Sequence, residues 1–418
     1  MGEKTVAIIG AGPAGLTAAY LLSKQAVPVT VIESDPELVG GIARTAHYKG
    51  YHFDIGGHRF FSKSKEVEDL WTELLPNDLL ERPRSSRIFY RGKFFAYPLR
   101  AADALLKLGL LESALCVLSY LRARLFPVRD PKSFEDWVSN QFGRRLFGMF
   151  FRTYTEKVWG MSCKEISADW AAQRIKGLSL GAAIRNALLP ARAPKQKSAV
   201  IKTLIDSFRY PRKGPGMMWE ACARRVREMG GALRMGERVV GCSFDAGRRE
   251  WTLTHVDRAG VRHETRAAHV ISSAPLRELA LGITPRIEEE TRAAAARLRY
   301  RDFLTVVLIL KDRKVFDDNW IYIHDPKVKV GRVQNFKSWS PEMVPDPSMA
   351  CYGLEYFCFE GDGLWTLSDA QLIDLGKREI EQVGLASALD VVDGCVVRQK
   401  KAYPVYDDGY AARVEKVR

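Results

Sequence analysis

Apolar and polar positions along the chain switch repeatedly between a period of two and a period near 3.6. Residues 6–9 form an apolar run of strand length, residues 29–32 form another, and Leu16, Ala19 and Leu22 between them keep helical spacing. Residues 51–58 alternate as a strand and break at two glycines, and residues 89–98 read as a hairpin turning at Arg91-Gly92. Ser133 with Asp136 three positions on predicts a capped helix start. Phe134, Trp137, Val138, Phe142, Leu146, Phe150 and Phe151 then continue at helical spacing. A short helix bearing Arg174 is predicted over 170–176 and a longer one over 217–229, stopped by Gly230-Gly231. A hairpin about Ala259-Gly260 and a strand over 269–275 follow. Residues 303–310 predict a continuous buried strand, with more strands at 320–323, 350–359 and 396–402 and a helix over 368–383.

The most apolar long stretch, residues 101–126, is broken by Asp103, Lys107, Glu112, Arg122 and Arg124, so it does not read as a bilayer span. It predicts one or two amphipathic helices. The first reading packs them on the protein, and the second lays them on a membrane surface.

At 418 residues, with 46% hydrophobic and 27% charged positions, the chain has the composition of a globular protein of two or three domains. The N-terminus runs directly into a strand, and no signal peptide is expected. Seven scattered cysteines form no C-x-x-C pair, which points away from a disulfide framework or zinc site and toward a reducing, cytoplasmic compartment. The formal charge of +14 needs an anionic partner or a solvated basic face. No nucleic-acid motif accompanies it, so an anionic small substrate or an anionic membrane is preferred. Much of the excess lies in residues 174–213, which hold ten Lys or Arg and one acid, Asp206. This segment reads either as a solvated basic loop or as a basic lip over a phosphate-bearing substrate.

Chemistry concentrates first at Gly10-Ala11-Gly12-Pro13-Ala14-Gly15, between the first strand and the first helix. Gly10 permits the tight turn, Gly12 lets the backbone approach a pyrophosphate, and Gly15 lets the helix pack on the strand. Pro13 and Ala14 open the helix, whose N-terminus presents N–H groups and a partial positive charge to the phosphates. Glu33, 18 residues after Gly15, is placed to accept ribose hydroxyls. Further on, Gly40-Gly41 followed by Arg44 would bring backbone and guanidinium to a phosphate. Gly56 and Gly57 would allow a flat ring to approach, with His58 at its edge.

Gly10 to Gly15, Phe53-Asp54-Ile55-Gly56-Gly57-His58, the stretch FFRTYTEKVWG ending at Trp159-Gly160, and Gly214 to Trp219 together resemble the UDP-galactopyranose mutases. These belong to the wider flavoenzyme group of amine oxidases and protoporphyrinogen oxidases. The likeness covers nearly the whole chain, and the Tyr154 to Trp159 segment is its most specific part, since plain oxidases lack it. It implies an α/β fold in which a Rossmann-type FAD-binding domain is interleaved with a mixed α+β substrate domain. Expected boundaries are 1–60 with 211–275 and 400–418 for FAD, 61–210 for a helical cap, and 276–399 for a mixed-sheet part. It implies that reduced flavin attacks the anomeric carbon of a nucleotide sugar such as UDP-galactose, with release and return of UDP, and that NAD(P)H is the reductant.

By the same resemblance, Trp159 would lie against the uracil, Tyr154 would contact the diphosphate region, and Arg174 would hold the diphosphate. Arg301 or Lys311 would supply a second cation, His58 would contact the flavin, and Tyr356 and Tyr403 would close over the sugar. Two departures are expected to matter. The family's closing segment, an Asn-Gln-Asp-His-type run that binds the ribityl chain, does not appear before Arg418, which points to a fragment or an incomplete cofactor site. The basic stretch near Lys195 has no counterpart. The alternative function is an FAD-dependent oxidoreductase; an oligomer and a peripheral membrane contact are left open.

Overall fold

The computed structural model describes residues 5–99, 101–170 and 206–418. The chain divides into two compact units, Met1–Glu81 with Arg209–Arg299 and Ala411–Arg418, and Arg82–Phe208 with Tyr300–Tyr410. Each unit is therefore assembled from separate chain segments, and the α/β fold is interleaved as the sequence predicts.

The first unit is built on a four-stranded parallel sheet. Its strands run in the order His269–Ser272, Val6–Ile9, Val29–Glu33, Ala232–Met235. Val6–Ile9 is buried throughout, which is why it reads as an unbroken apolar run, as inner strands of parallel sheets do. Helices Pro13–Ser23 and Gly216–Glu228 contribute Leu16, Ala19, Met218, Cys222 and Val226 to the core around Ile8 and Val31. A second sheet carries Arg262–Ala267, Glu250–Val256 and Arg238–Asp245 antiparallel, with Ile283–Thr284 added in parallel.

The second unit is organised around the strand Tyr300–Lys311. It lies between Val391–Pro404 and Met349–Cys358, both antiparallel to it, and the seven-stranded sheet continues through Arg332–Asn335, Trp320–Ile323, Ser86–Tyr90 and Lys93–Ala96. Side chains alternate between faces with period two. Leu304, Val306, Leu308, Leu354 and Tyr356 fall on one face and share a core with Leu372 and Ile380 of helix Asp369–Gln382. Each such buried aliphatic contributes roughly 1.5–3 kcal/mol. That helix starts at a Ser368/Gln371 capping box. The opposite face carries Thr305, Glu355, Arg332 and Gln334, placed by register beside one another.

Five α-helical segments, Ala101–Leu108, Leu110–Leu125, Phe134–Phe142, Arg144–Phe147 and Thr153–Trp159, lie in the first chain segment of this unit. Phe134–Phe142 begins at the Ser133/Asp136 capping box that its sequence predicts. A π-helical turn, Gly148–Arg152, precedes Thr153–Trp159. Residues 101–126 form two helices as expected, and the longer one packs on the protein through Ser113 and Cys116, while Leu110, Leu118, Leu121 and Leu125 on its other side are exposed. Gly143 crosses this helix closely, an added Cβ there lying only 2.7 Å from the amide of Tyr120. Of the basic stretch, residues 174–205 with Arg174 lie outside the described residues.

Candidate functional site

In the first unit, helix Pro13–Ser23 starts from Gly12 with Pro13 at its first position, and no side chain caps it. Its first-turn N–H groups and positive dipole end are therefore offered to an anion. Gly15 is obligatory by contact, since a Cβ there would sit 2.0 Å from the carbonyl oxygen of Gly10. Gly41 approaches the same loop, an added Cβ lying 3.3 Å from the Cα of Gly12. Glu33 closes the second strand and accepts hydrogen bonds from the amides of Ala11 at 2.6 Å and Asp35 at 2.8 Å. This fixes its carboxylate beside the loop. Arg44 is half-buried, its Nη1 3.7 Å from Asp35 and 3.5 Å from the carbonyl of Gly41.

His58 is held by Asp54, a fully buried carboxylate whose role the sequence reading missed. Its oxygens accept from His58 Nδ1 at 2.7 Å and from the amides of Gly56 at 2.9 Å and His58 at 2.5 Å. Burial alone would push the Asp54 carboxyl up, but the His58 ring and these N–H groups hold it below its ordinary value. A Cβ at Gly56 would meet His58 Cε1 at 2.6 Å, so the ring would have to shift, and Gly57 holds a φ of 66° that favours glycine. With Nδ1 engaged, Nε2 is the nitrogen directed away from Asp54.

In the second unit, the motif helix Thr153–Trp159 is fastened through its C-terminal half. Lys157 Nζ donates to the carbonyls of Ile323 at 3.1 Å, Asp325 at 2.7 Å and Val330 at 3.0 Å. Burial pulls its ammonium down to about 8. The buried guanidinium of Arg301 donates to the carbonyls of Val158 at 3.0 Å, Lys157 at 3.2 Å and Phe357 at 2.9 Å, capping the helix C-terminus. The helix thus presents Trp159 and Tyr154 from a rigid base. Trp159 is buried and meets Trp170, Tyr406 and Tyr403 edge-on, with centroids 5.1, 5.4 and 6.1 Å away. Tyr154 stacks on His324 at 4.9 Å and 6°. Burial, with Lys157 nearby, lowers His324 to about 3, so that ring is neutral.

Tyr154 and Tyr403, distant in the chain, converge on Arg332. The Arg332 guanidinium is ion-paired with the fully buried Glu355 and donates to Tyr403 Oη at 3.2 Å. Gln334 Nε2 donates to the same carboxylate at 2.7 Å. Arg332 Nε is buried and makes no hydrogen bond. Burial raises the Tyr154 phenol, with Arg332 opposing, so the phenol stays protonated and able to donate. Strand alternation carried a signal for this group: Glu355 had to face away from Leu354 and Tyr356. Tyr97 packs on Tyr322, which also meets Tyr154, and lines a cleft of about 440 Å³ with Arg84, Arg87 and Lys107.

Other expected residues do not join this group. Lys311 is exposed at the far end of strand Tyr300–Lys311 from Arg301, roughly 33 Å away at strand rise. Tyr356 points to the opposite face of the sheet, into the aliphatic core. Arg174 lies outside the described residues. The described residues contain no His, Cys, Asp and Glu group arranged to hold a metal.

Residues 13–406 match the family described as flavin containing amine oxidoreductase. The chain belongs to this family. The family implies FAD, and the uncapped helix start, the Gly15 contact and the fixed Glu33 fit the dinucleotide end of that cofactor. The flavin amine oxidoreductase fold is also that of reduced UDP-galactopyranose mutase, at TM-score 0.82 and 21% identity over 99% of this chain and 86% of that one. Among curated relatives, dTDP-fucopyranose mutase of Escherichia coli is 27% identical over 169 residues, 39% of this chain and 44% of that protein. L-amino-acid oxidase of Crotalus adamanteus is 42% identical over 66 residues, 16% of this chain and 13% of that protein. The chain thus spans less than half the length of the curated relatives it matches.

Proposed function

We propose that the chain is an FAD-dependent mutase of nucleotide-linked sugars, interconverting the pyranose and furanose forms of a substrate such as UDP-galactose. The observation that carries this reading is the convergence of Tyr154, Arg332, Glu355 and Tyr403 beside the Trp159 helix. The protonated Tyr154 phenol, the Tyr403 hydroxyl and a buried guanidinium with a spare N–H suit a polyhydroxylated anion. A site for a plain amine needs fewer donors. Overall, the bond between the anomeric carbon and the diphosphate oxygen breaks, a different sugar hydroxyl closes the ring, and the diphosphate bond re-forms, with no net oxidation. When bound, reduced FAD supplies the electron pair that displaces the diphosphate; NAD(P)H is the reductant we assign.

In this reading Arg332 orients the sugar diphosphate, with Tyr154 and Tyr403 donating to its oxygens. Trp159, with Trp170 and Tyr406, forms the aromatic bed for the base. Arg174 supplies a further cation. Arg301 is a positioning residue, because its guanidinium is spent on three carbonyls. His58, oriented by Asp54, lies at the flavin. A reducing cytoplasmic setting belongs to the same reading.

The test is turnover of UDP-galactose, and of dTDP-linked sugars, by the dithionite-reduced, flavin-loaded protein, with furanose product resolved by chromatography. Full flavin content with no ring-isomerised product from any nucleotide sugar would refute the proposal. The short stretch shared with the L-amino-acid oxidase favours an oxidoreductase as the second reading; hydrogen peroxide formed from an amine or amino acid would establish that instead.

A further inference from the structure

Helix Leu110–Leu125 is amphipathic in the inverted sense. Ser113, Cys116, Ser119 and Tyr120 turn toward the protein, and Ser119 Oγ accepts from the amide of Arg145 at 3.1 Å. The outward stripe is Leu110, Leu118, Leu121 and Leu125, which are 93%, 61%, 48% and 73% exposed. Leu106 and Phe126 extend it at 84% and 76%. At 100° per residue, Arg122 falls on one long edge of the stripe and Arg124 on the other. Both are exposed, as is Arg129 beyond the helix, and among the described residues none of the three forms an ion pair. The acid on this helix, Glu112, is already paired with Arg145. No helix of the described residues is long and apolar enough to cross a membrane.

We propose that helix Leu110–Leu125 docks the protein in the plane of an anionic phospholipid surface. The leucines enter the acyl boundary and Arg122, Arg124 and Arg129 reach lipid phosphates, their aliphatic stems following the apolar side chains inward. Charge complementarity decides the occupant. An anionic bilayer supplies both the apolar depth and the negative charge that the stripe and its edges require. A second copy of this chain supplies only the apolar part, because it brings the same arginines, and the nearby acids Glu112 and Asp130 are already paired with Arg145 and Lys132.

The experiment is co-sedimentation of the full-length, flavin-loaded protein with vesicles of phosphatidylcholine alone or with one-third phosphatidylglycerol. Binding to the anionic vesicles only, weakened by added salt, is expected. Arg122→Ala with Arg124→Ala should reduce it by about 25-fold, at roughly five-fold per cation. Leu118→Glu with Leu121→Glu should abolish it. These side chains are exposed, so an unchanged melting temperature and flavin content show that each variant is folded. Absence of binding to anionic vesicles, equal binding to neutral ones, or binding unchanged by either double variant overturns the proposal. So does a vesicle-independent dimer that Leu118→Glu with Leu121→Glu dissolves, since the occupant is then a second copy.

Discussion

Replacing Arg332 by methionine tests the polar face of the large sheet directly. The guanidinium pairs with Glu355, whose carboxylate is fully buried and otherwise receives the 2.7 Å donation from Gln334. Arg332→Met keeps most of the stem volume but strands that charge between strands Tyr300–Lys311 and Arg332–Asn335. Breaking a buried pair from one side costs about 3–5 kcal/mol, mostly the penalty of the uncompensated ion. At about 2–4 °C per kcal/mol for a unit of this size, the melting temperature should fall by roughly 6–20 °C. Adding Glu355→Gln removes the stranded charge and should bring the melt back to within about 4 °C of the wild type. The double variant should nonetheless bind UDP at least about ten-fold more weakly in a fluorescence titration, one hydrogen bond to a charged group being worth about 1.5–3 kcal/mol. If Arg332→Met melts within about 2 °C of the wild type, or the double variant is no more stable than the single, the buried-charge argument is wrong.

Gly15→Ala places a Cβ 2.0 Å from the carbonyl oxygen of Gly10, so the helix must leave the strand; FAD affinity should drop about ten-fold or more, read from flavin absorbance after gel filtration. Asp54→Asn should cost about 1–3 kcal/mol by loosening the His58 turn. Because the folded Asp54 carboxyl lies below its unfolded value, it stabilises the protein above the unfolded pKa, and that contribution is lost as pH falls through the folded one. The variant should therefore show a shallower acid limb in melts taken down to about pH 3. Lys157 titrates near 8 in the fold against 10.5 ordinarily, so the unfolded chain holds more protons between those values and stability at this site rises with pH across them. Melts of wild type and Lys157→Met from about pH 7 to pH 10 should diverge by on the order of 1–3 kcal/mol in favour of the wild type, and parallel curves would count against the buried charge.

Local chemistry made much of the fold legible. The Val6–Ile9 run, the glycines after it and Glu33 specify a strand, a turn and a helix through contacts within one βαβ segment, and such contacts are written in adjacent residues. The capping boxes at Ser133 and Ser368 and the turn at Arg91-Gly92, both residues at positive φ, are likewise local devices. FFRTYTEKVWG was legible as a motif but not as a construction. Nothing in the order of its residues reveals that Lys157 and Arg301 are spent on six backbone carbonyls. A cation near a presumed diphosphate reads as a ligand, and only the position of strand ends shows that its donors are already used.

The remaining misses share one physical cause: periodicity fixes which residues share a face but not what that face meets. Alternation along Met349–Cys358 separates Glu355 from Tyr356, yet the choice of which side carries the helix Asp369–Gln382 is made by the rest of the sheet. Tyrosine is at home on either side, so Tyr356 attracted a site role while the carboxylate beside it went unnoticed. Helix Leu110–Leu125 poses the same ambiguity with the opposite stakes. A leucine stripe is ordinarily the buried side because burial is where it gains free energy. Here Ser113, Cys116 and the close backbone crossing at Gly143 occupy the inward side, and the leucines face out. A stripe turned out at that cost, with arginines along both edges, needs a surface of matching polarity to recover the lost burial.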